Sequence, residues 1–450
     1  MPAKEIKDCL MKAQEYFEAK DFQMAIEYFT KAVVIDPHLK EAWLNLGISY
    51  GMIKEYEKAI NCFKKAVELD PDYSIAWNSM GITYRNVGDF LSAIDCSEQS
   101  LKIDPQDKIA WYDMGVAYKE LKAYPKAIQC LTKAVDIDPE YVLAWNLLGL
   151  IYGEMHNFEE MLNTFNKIIE IDPDSLDAWN SMGLAHAELG DFHNAIDCYE
   201  HALKINPQFK TAWNNLGTIY DDLGDYQKAI ECYEKTVQLD PQYYFAWNNM
   251  GNAYVKLGED EKAIKFYEEA LRLCPTYKFA LVNIGNAYSN LGDFYRAIEC
   301  YEKVVLELDP SFKEAWKILG DLYYSELADF EKAIECYQKA LQIDPNYKDA
   351  LKELEDLYNE MGMYQKAIEC QEKIVKEGNT TKTETVLQEG NIIRAAKIIK
   401  GEKIIEKSET LSTASIIDIT EILEILKLRL AKGEISKKEY LELKKILEEK

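Results

Sequence analysis

The sequence predicts an all-α fold, a solenoid of stacked helical hairpins followed by one small separate hairpin. The first observation is a proline that recurs every 34 residues, at Pro37, Pro71, Pro105, Pro139, Pro173, Pro207, Pro241 and Pro275, and then at 35-residue spacing at Pro310 and Pro345. The second is a glycine with the same period, at Gly47, Gly81, Gly115, Gly149, Gly183, Gly217, Gly251 and Gly285. The third is that all eight tryptophans precede a glycine by four residues. A fixed period of this length indicates a repeat architecture rather than several globular domains.

Each unit begins with an amphipathic first helix. In the seventh unit, residues at i, i+3, i+4 and i+7 lie on one helical face; they are Trp213, Leu216, Gly217 and Tyr220. Gly224 follows and suits a left-handed helix end, and Asp225 suits the N-cap of another helix. The pattern therefore predicts a helix, a tight turn and a second helix.

The second helix has an apolar face and a defined end. Ala229, Tyr233 and Thr236 repeat the helical spacing. Proline disfavours helical geometry in the residue before it, so the second helix ends ahead of Pro241. We therefore interpret each 34-residue unit as one helical hairpin.

The unit resembles a known repeat. The pattern W-x2-L-G-x2-Y…A-x3-F…P is that of the tetratricopeptide repeat, and the resemblance covers residues 6–379 as eleven units. It implies a right-handed superhelical solenoid of helix pairs whose neighbours share one core. It also implies a concave groove, lined by the first helices, that holds extended or helical peptides.

A polar stripe runs along the first helix, away from the tryptophan. At about 100° per residue, the tryptophan face lies within about 60° of Trp213 and the stripe lies between about 80° and 200°. The polar stripe comprises Thr211, Asn214, Asn215, Thr218, Asp221 and Asp222. The resemblance to tetratricopeptide arrays implies that this stripe lines the groove.

Asparagines recur on the polar stripe in successive units, at Asn215, Asn249 and Asn283, at Asn214 and Asn248, and at Asn252 and Asn286. They resemble the asparagine ladder of O-linked N-acetylglucosamine transferases. A primary amide has two donors and an acceptor, so a row of amides pairs with any peptide backbone. These asparagines, with Thr218, Asp221 and Asp222, are the predicted peptide-binding residues. The alternative is that the asparagines are solvated or bond locally within the array.

The charge of the chain narrows the choice of partner. There are 78 acidic and 52 basic residues, and residues 380–450 hold 13 and 14 of them, so the excess negative charge lies on the repeats. Phosphate contacts need clustered basic residues, which disfavours nucleic acids and anionic membranes. Acids on the polar stripe favour neutral or basic peptide segments, although net charge also keeps a long solenoid in solution.

Ten cysteines raise the question of disulfides. Eight share one position on the second helix: Cys62, Cys96, Cys130, Cys198, Cys232, Cys300, Cys336 and Cys370. Packed helices lie about 8–10 Å apart, too far for the ~4.4–6.8 Å between the Cα atoms of a disulfide, so buried thiols are predicted. No signal-peptide pattern and no apolar stretch of about 18 residues is present, so we expect a cytoplasmic protein without membrane insertion.

No pattern for catalysis, a cofactor or a metal site was found. The five histidines lack metal-ligand spacing, and the glycine motifs that bind phosphates, bind dinucleotides or present a nucleophile are absent. We therefore expect a protein that is not an enzyme and uses no cofactor or metal.

The C-terminal tail loses the repeat period. Residues 380–415 are predicted to be a linker, with a short amphipathic helix at Ile392, Ile393, Ala396 and Ile399. Residues 416–450 resemble the SHOCT short C-terminal domain, on the residues Leu426, Leu430, Gly433, Ile435, Glu439, Tyr440, Lys444 and Leu447. A hairpin this small cannot bury its apolar stripe alone, so it is predicted to mediate homo-oligomerisation or bind the solenoid or a partner. The alternative is a capping hairpin folded onto the last repeat.

The sequence therefore predicts a protein–protein interaction scaffold whose groove binds peptide segments of partner proteins. One alternative is a regulatory or substrate-presenting subunit of a separate enzyme, such as a glycosyltransferase. The other is a purely structural oligomer.

Overall fold

The computed structural model describes residues 2–376, which form α-helices joined by tight turns, with no strand among them. The predicted all-α class, a solenoid of helix pairs, is confirmed. The predicted linker of residues 380–415 and the SHOCT-like hairpin of residues 416–450 lie outside the described residues.

Packing contacts divide the described residues into two compact units, the first ending at Leu257 and the second beginning at Gly258. The helices of the first unit are α1 (Pro2–Glu18), α2 (Phe22–Ile35), α3 (Lys40–Met52), α4 (Tyr56–Leu69), α5 (Ser74–Asn86), α6 (Phe90–Ile103), α7 (Lys108–Glu120), α8 (Tyr124–Ile137), α9 (Val142–Glu154), α10 (Phe158–Ile171), α11 (Leu176–Glu188), α12 (Phe192–Ile205), α13 (Lys210–Asp222), α14 (Tyr226–Leu239) and α15 (Tyr244–Lys256). Odd-numbered helices are the first helices of the repeats.

The second unit continues the alternation of first and second helices. Its helices are α16 (Asp260–Leu273), α17 (Lys278–Asn290), α18 (Phe294–Lys303), α19 (Lys313–Ser325), α20 (Phe330–Ile343), α21 (Lys348–Glu360) and α22 (Tyr364–Lys376), with a π-helical turn at Val304–Leu308 after α18. Within each unit every helix contacts the next helix along the chain.

The seventh repeat follows its predicted pattern closely. Gly224 has a φ of +81° and ends α13, and the Asp225 carboxylate accepts the N–H of Lys228 at 3.3 Å as the N-cap of α14. Side chains from both helices are buried, namely Ala212, Leu216, Ile219, Ala229, Tyr233 and Thr236. The predicted helix–turn–helix hairpin is confirmed.

Each of the eight tryptophans donates a hydrogen bond to the carbonyl of the proline that ends the preceding repeat. In the seventh repeat the indole N–H of Trp213 donates to the Pro207 carbonyl at 2.9 Å. The same bond, six residues apart, is made by Trp43, Trp77, Trp111, Trp145, Trp179, Trp247 and Trp316. This bond joins the turn after one repeat's second helix to the first turn of the next repeat's first helix. The proline and the tryptophan therefore recur in the sequence with the same period.

The two 35-residue intervals are accommodated in different places. The extra residue before Pro310 lies in the π-helical turn Val304–Leu308, where Val304 and Val305 stay buried and Leu306 is exposed. The extra residue before Pro345 lies in the turn between α19 and α20, where Ala328 has a φ of +51°. Both insertions therefore keep the buried positions of the repeat in register.

The recurring cysteines are free, and all are buried except Cys300, which is half-buried. Burial raises the pKa of the Cys62 thiol to about 12 and that of Cys198 to about 11. The predicted buried thiols are confirmed with this one exception, and a thiol of such high pKa is a poor nucleophile at neutral pH.

We expect Gly183→Ala to destabilise the sixth repeat by about 1–3 kcal/mol, the usual range for overpacking. A Cβ at Gly183 would lie 2.6 Å from Cε1 of Tyr199, a ring that is 1% exposed. Gly51→Ala is the matched control, since no atom lies within 4 Å of its added Cβ. Alanine there is expected to be neutral or to gain about 0.5 kcal/mol.

Hydrogen exchange measures the local opening free energy of the altered repeat, from peptides of α11 and α12 for Gly183→Ala and of α3 and α4 for Gly51→Ala. This suits an array whose stability is a sum over neighbouring repeats. Equal effects of the two substitutions would show that the Gly183 contact is not tightly packed.

Candidate functional site

The two asparagines of the seventh repeat lie in different environments. Asn214 is 8% exposed and Asn215 is half-buried. The Asn214 Nδ2 donates to Asn215 Oδ1 at 3.5 Å, and the Asn215 Nδ2 donates to Asn180 Oδ1 on α11 at 3.0 Å. These amides form a chain across two neighbouring first helices, so Asn215 bonds within the array.

The eighth repeat has the same arrangement. Asn248 is 4% exposed and its Nδ2 donates to Asn249 Oδ1 at 3.5 Å, while Asn249 and Asn252 are half-buried. The expectation that Asn214 and Asn248 line an open surface is therefore corrected, because both are covered by packing. Peptide binding by the polar stripe stays a prediction.

The hydroxyl groups of two buried tyrosines on the second helices contact residues of the polar stripe. The Tyr301 hydroxyl donates to Asn286 Oδ1 at 2.6 Å, and Asn286 is exposed while Tyr301 is fully buried. The Tyr233 hydroxyl lies 3.5 Å from the Thr218 Oγ1. With its oxygen occupied, the Asn286 amide keeps its two N–H donors for the solvent side. The sequence contains a signal for such a hydroxyl contact, because tyrosine replaces phenylalanine at this position in five repeats, at Tyr199, Tyr233, Tyr267, Tyr301 and Tyr337.

The two predicted acids of the seventh repeat also differ. Asp221 has a side chain that is 14% exposed and pairs with Lys256 on α15 at 2.7 Å. This hydrogen bond raises the pKa of Lys256, so the lysine stays charged at neutral pH. Asp222 is exposed and lies at the end of α13. Asp222 thus supplies negative charge to the surface, whereas the charge of Asp221 is largely neutralised by Lys256.

The predicted site residue Asn283 lies in the second unit, where it is half-buried.

A buried ion pair joins the third and fourth repeats. The Arg85 Nη1 lies 3.0 Å from Asp113 Oδ1, with 24% and 6% of the two side chains exposed. Burial raises the pKa of Asp113 to about 6, in spite of the opposing guanidinium. The repeat pattern does not predict this pair, because Arg85 and Asp113 occupy different positions of their repeats.

The polar stripe is suited to recognition by hydrogen bonds and charge. Within residues 2–376 no three His, Cys, Asp or Glu side chains are grouped so that they could hold a metal ion. None of the helices described is both long and apolar enough to cross a membrane.

The sequence profile of the tetratricopeptide repeat matches this chain over more than half its length. One profile matches residues 41–73, 109–141, 176–209, 211–243, 244–277, 279–312 and 314–347. Two related profiles of the same repeat match residues 62–95, and residues 9–39 and 142–175. The profile matches end before α21, so the eleventh repeat stays a prediction.

Several solved structures are similar to the chain. The yeast Tom70 structure has a TM-score of 0.47 at 17% identity, covering 88% of this chain and 98% of the other. The Cut9–Hcn1 hetero-tetramer of the APC/C has a TM-score of 0.42 at 14% identity, covering 85% and 96%. YrrB, described as a TPR protein with an unusual peptide-binding site, has a TM-score of 0.37 at 25% identity, covering 42% and 97%. None of the curated proteins compared matches the chain.

Proposed function

The chain belongs to the tetratricopeptide repeat family, and we propose that it is a non-enzymatic scaffold that binds peptide segments of partner proteins along its first helices. Repeated first helices present the same side-chain positions at regular intervals, which suits the capture of an elongated ligand. The proposal places this scaffold in the cytoplasm.

One observation carries the proposal. The Asn286 amide is exposed and its oxygen accepts from the Tyr301 hydroxyl at 2.6 Å, which leaves its N–H groups available to donate to a ligand carbonyl. Holding an amide in one orientation reduces the entropy lost when a ligand binds. Asn215, Asn249, Asn252 and Asn283 supply further amides on the polar stripe, each partly exposed.

The charge of the polar stripe supports a neutral or basic segment. Asp222 is exposed, and the exposed Glu188 occupies the same position of the sixth repeat. Like charges across an interface are costly, so an acidic segment would be disfavoured. We further propose that residues 416–450 form the assembly hairpin.

Capture from native lysate tests the proposal. We expect the intact chain to retain a discrete protein partner and the variant Asn215→Ala/Asn249→Ala/Asn283→Ala to lose most of it. A chain without residues 416–450 is expected to retain the partner and to lose self-association. If the captured partner is an enzyme, its activity with and without the chain separates a scaffold from a regulatory or substrate-presenting subunit.

The matched control is Asn61→Ala/Asn163→Ala/Asn166→Ala, three exposed asparagines on the second helices α4 and α10. The proposal is wrong if both triple variants retain the partner equally. Recovery of the chain alone would instead favour the structural oligomer.

A further inference from the structure

An apolar surface lies on the first helices of the third to fifth repeats. Ile75, Ile109 and Leu143 are 59%, 45% and 56% exposed, although they are large and apolar. They occupy one position of the repeat, near the start of α5, α7 and α9. We call these three residues row one. Exposed apolar side chains in a regular row mark an interaction site more often than isolated ones do.

A second row runs parallel to the first. Seven residues further along each helix lie Ile82, Val116 and Leu150, of which Leu150 is 48% exposed and the others are half-buried. Residues seven apart lie on the same helical face, about 10.5 Å apart along the axis. We call these three residues row two, so each of the three helices presents two apolar side chains on one face.

Ion pairs hold the three helices side by side. The Arg85–Asp113 pair joins α5 to α7, and the Lys119 Nζ lies 3.3 Å from Glu154 Oε1, which joins α7 to α9. Neighbouring packed helices lie about 8–10 Å apart. Each row therefore presents an apolar side chain about every 10 Å across the three helices.

The charges near the rows are predominantly negative. Along α5, α7 and α9 the charged groups are Arg85, Lys108 and Lys119 against Asp113, Glu120 and Glu154, and Asp107 and Asp138 lie beside α7, which leaves two more negative than positive charges. Glu120 and Glu154, beyond row two, have side chains 44% and 42% exposed, and Lys119 Nζ lies 3.5 Å and 3.3 Å from them, so one of the two negative charges is not balanced. Lys108, beside row one, is paired with Asp138 and adds no net charge. This edge favours a cationic ligand.

We propose that rows one and two bind an amphipathic, basic α-helix of a partner protein, lying across α5, α7 and α9. Seven residues of a helix rise about 10.5 Å, so apolar residues at i, i+7 and i+14 meet three successive first helices. An extended segment rises about 3.3 Å per residue, so every third residue would match this spacing. Side chains three residues apart point to opposite faces of an extended segment, so they would not all contact the rows. Lysine or arginine on one flank of the helix then faces Glu120 and Glu154.

The inference rests on the proposed scaffold function and specifies the class of partner at this surface. The probe is a fluorescein-labelled peptide of three identical heptads, with leucine at the first and fourth positions, lysine at the fifth and seventh, and alanine or glutamine elsewhere. Its binding to the full chain is measured by fluorescence anisotropy. Two comparison peptides replace the lysines by glutamate or place one proline in the central heptad.

We expect the lysine peptide to bind the full chain and the glutamate and proline peptides to bind at least tenfold more weakly. The variant Ile75→Ser/Ile109→Ser/Leu143→Ser should weaken the lysine peptide about tenfold or more. The matched control Val34→Ser/Leu69→Ser/Leu91→Ser replaces apolar residues on the second helices α2, α4 and α6 that are 73%, 37% and 68% exposed. It should bind as the unaltered chain does.

The inference is overturned if the lysine peptide does not bind, if the row-one variant binds it unchanged, or if lysine and glutamate peptides bind equally. Displacement of the probe by a peptide of residues 416–450 would also overturn it, because the occupant would then be the chain's own tail. The variant Asn215→Ala/Asn249→Ala/Asn283→Ala should still bind the probe. Failure here and failure of the proposed function are therefore distinguishable.

Discussion

Arg85→Met is expected to destabilise the third and fourth repeats by about 3 kcal/mol at neutral pH, the largest stability change anticipated for this chain. Asp113 is 5% exposed, and removing its cation leaves a buried carboxylate without a counter-charge. Breaking a buried pair from one side costs about 3–5 kcal/mol, and the partial exposure of Arg85 favours the lower value.

The pH dependence follows from the pKa of Asp113. Burial raises that pKa to about 6, Arg85 lowers it and Asp107 raises it, and Tyr112 and Tyr141 also lie near. The folded pKa exceeds the unfolded value near 3.9. Proton uptake by Asp113 therefore contributes stability that is fully present below about pH 4 and is lost as the pH rises through about 6. Without the guanidinium the pKa of Asp113 lies still higher, so the deficit of Arg85→Met should shrink as the pH falls toward 6 and change little below it.

The double variant Arg85→Met/Asp113→Asn is the control. It removes both charges, so it is expected to lie within about 1 kcal/mol of the unaltered chain and to lose this pH dependence. Hydrogen exchange of peptides from α5 and α7 at pH 7.5 and pH 5 measures these differences. A pH-independent deficit in the single variant would contradict the assignment of charge to Asp113.

The sequence was sufficient to predict the repeat fold, because each local signal agrees with the others. Gly224 ends a helix at positive φ, Asp225 caps the next one, and the buried side chains follow the helical spacing. The indole bond of Trp213 to the Pro207 carbonyl was not predicted, since backbone acceptors leave no trace in residue identity. The π-helical turn was not predicted either, because an extra residue can be absorbed in a helix or in a turn.

The candidate site was predicted less completely, for a physical reason. Angles around one ideal helix place Asn214 and Asn215 on the same polar stripe, but burial depends on the neighbouring helices as well. Asn214 is covered and Asn215 bonds to Asn180 of the previous repeat. The ion pair of Arg85 and Asp113 was not predicted for the same reason, because it depends on how two repeats stack.

The second large effect concerns the location of partner binding. We expect photo-crosslinking from a benzoylphenylalanine at position 218, where Thr218 is exposed on the polar stripe of α13, to trap the captured partner efficiently. The same group at position 235, where Lys235 is exposed on α14 of the same repeat, should give almost no crosslinked partner. The two positions share one hairpin, so local stability and expression are matched.

This crosslinking comparison is the decisive test of binding along the first helices, because it reports contact rather than affinity. Crosslinking from position 218 and not from position 235 is the predicted result, and it would place the partner against the first helices. Crosslinking from position 235 alone would contradict the account and move the binding surface to the second helices.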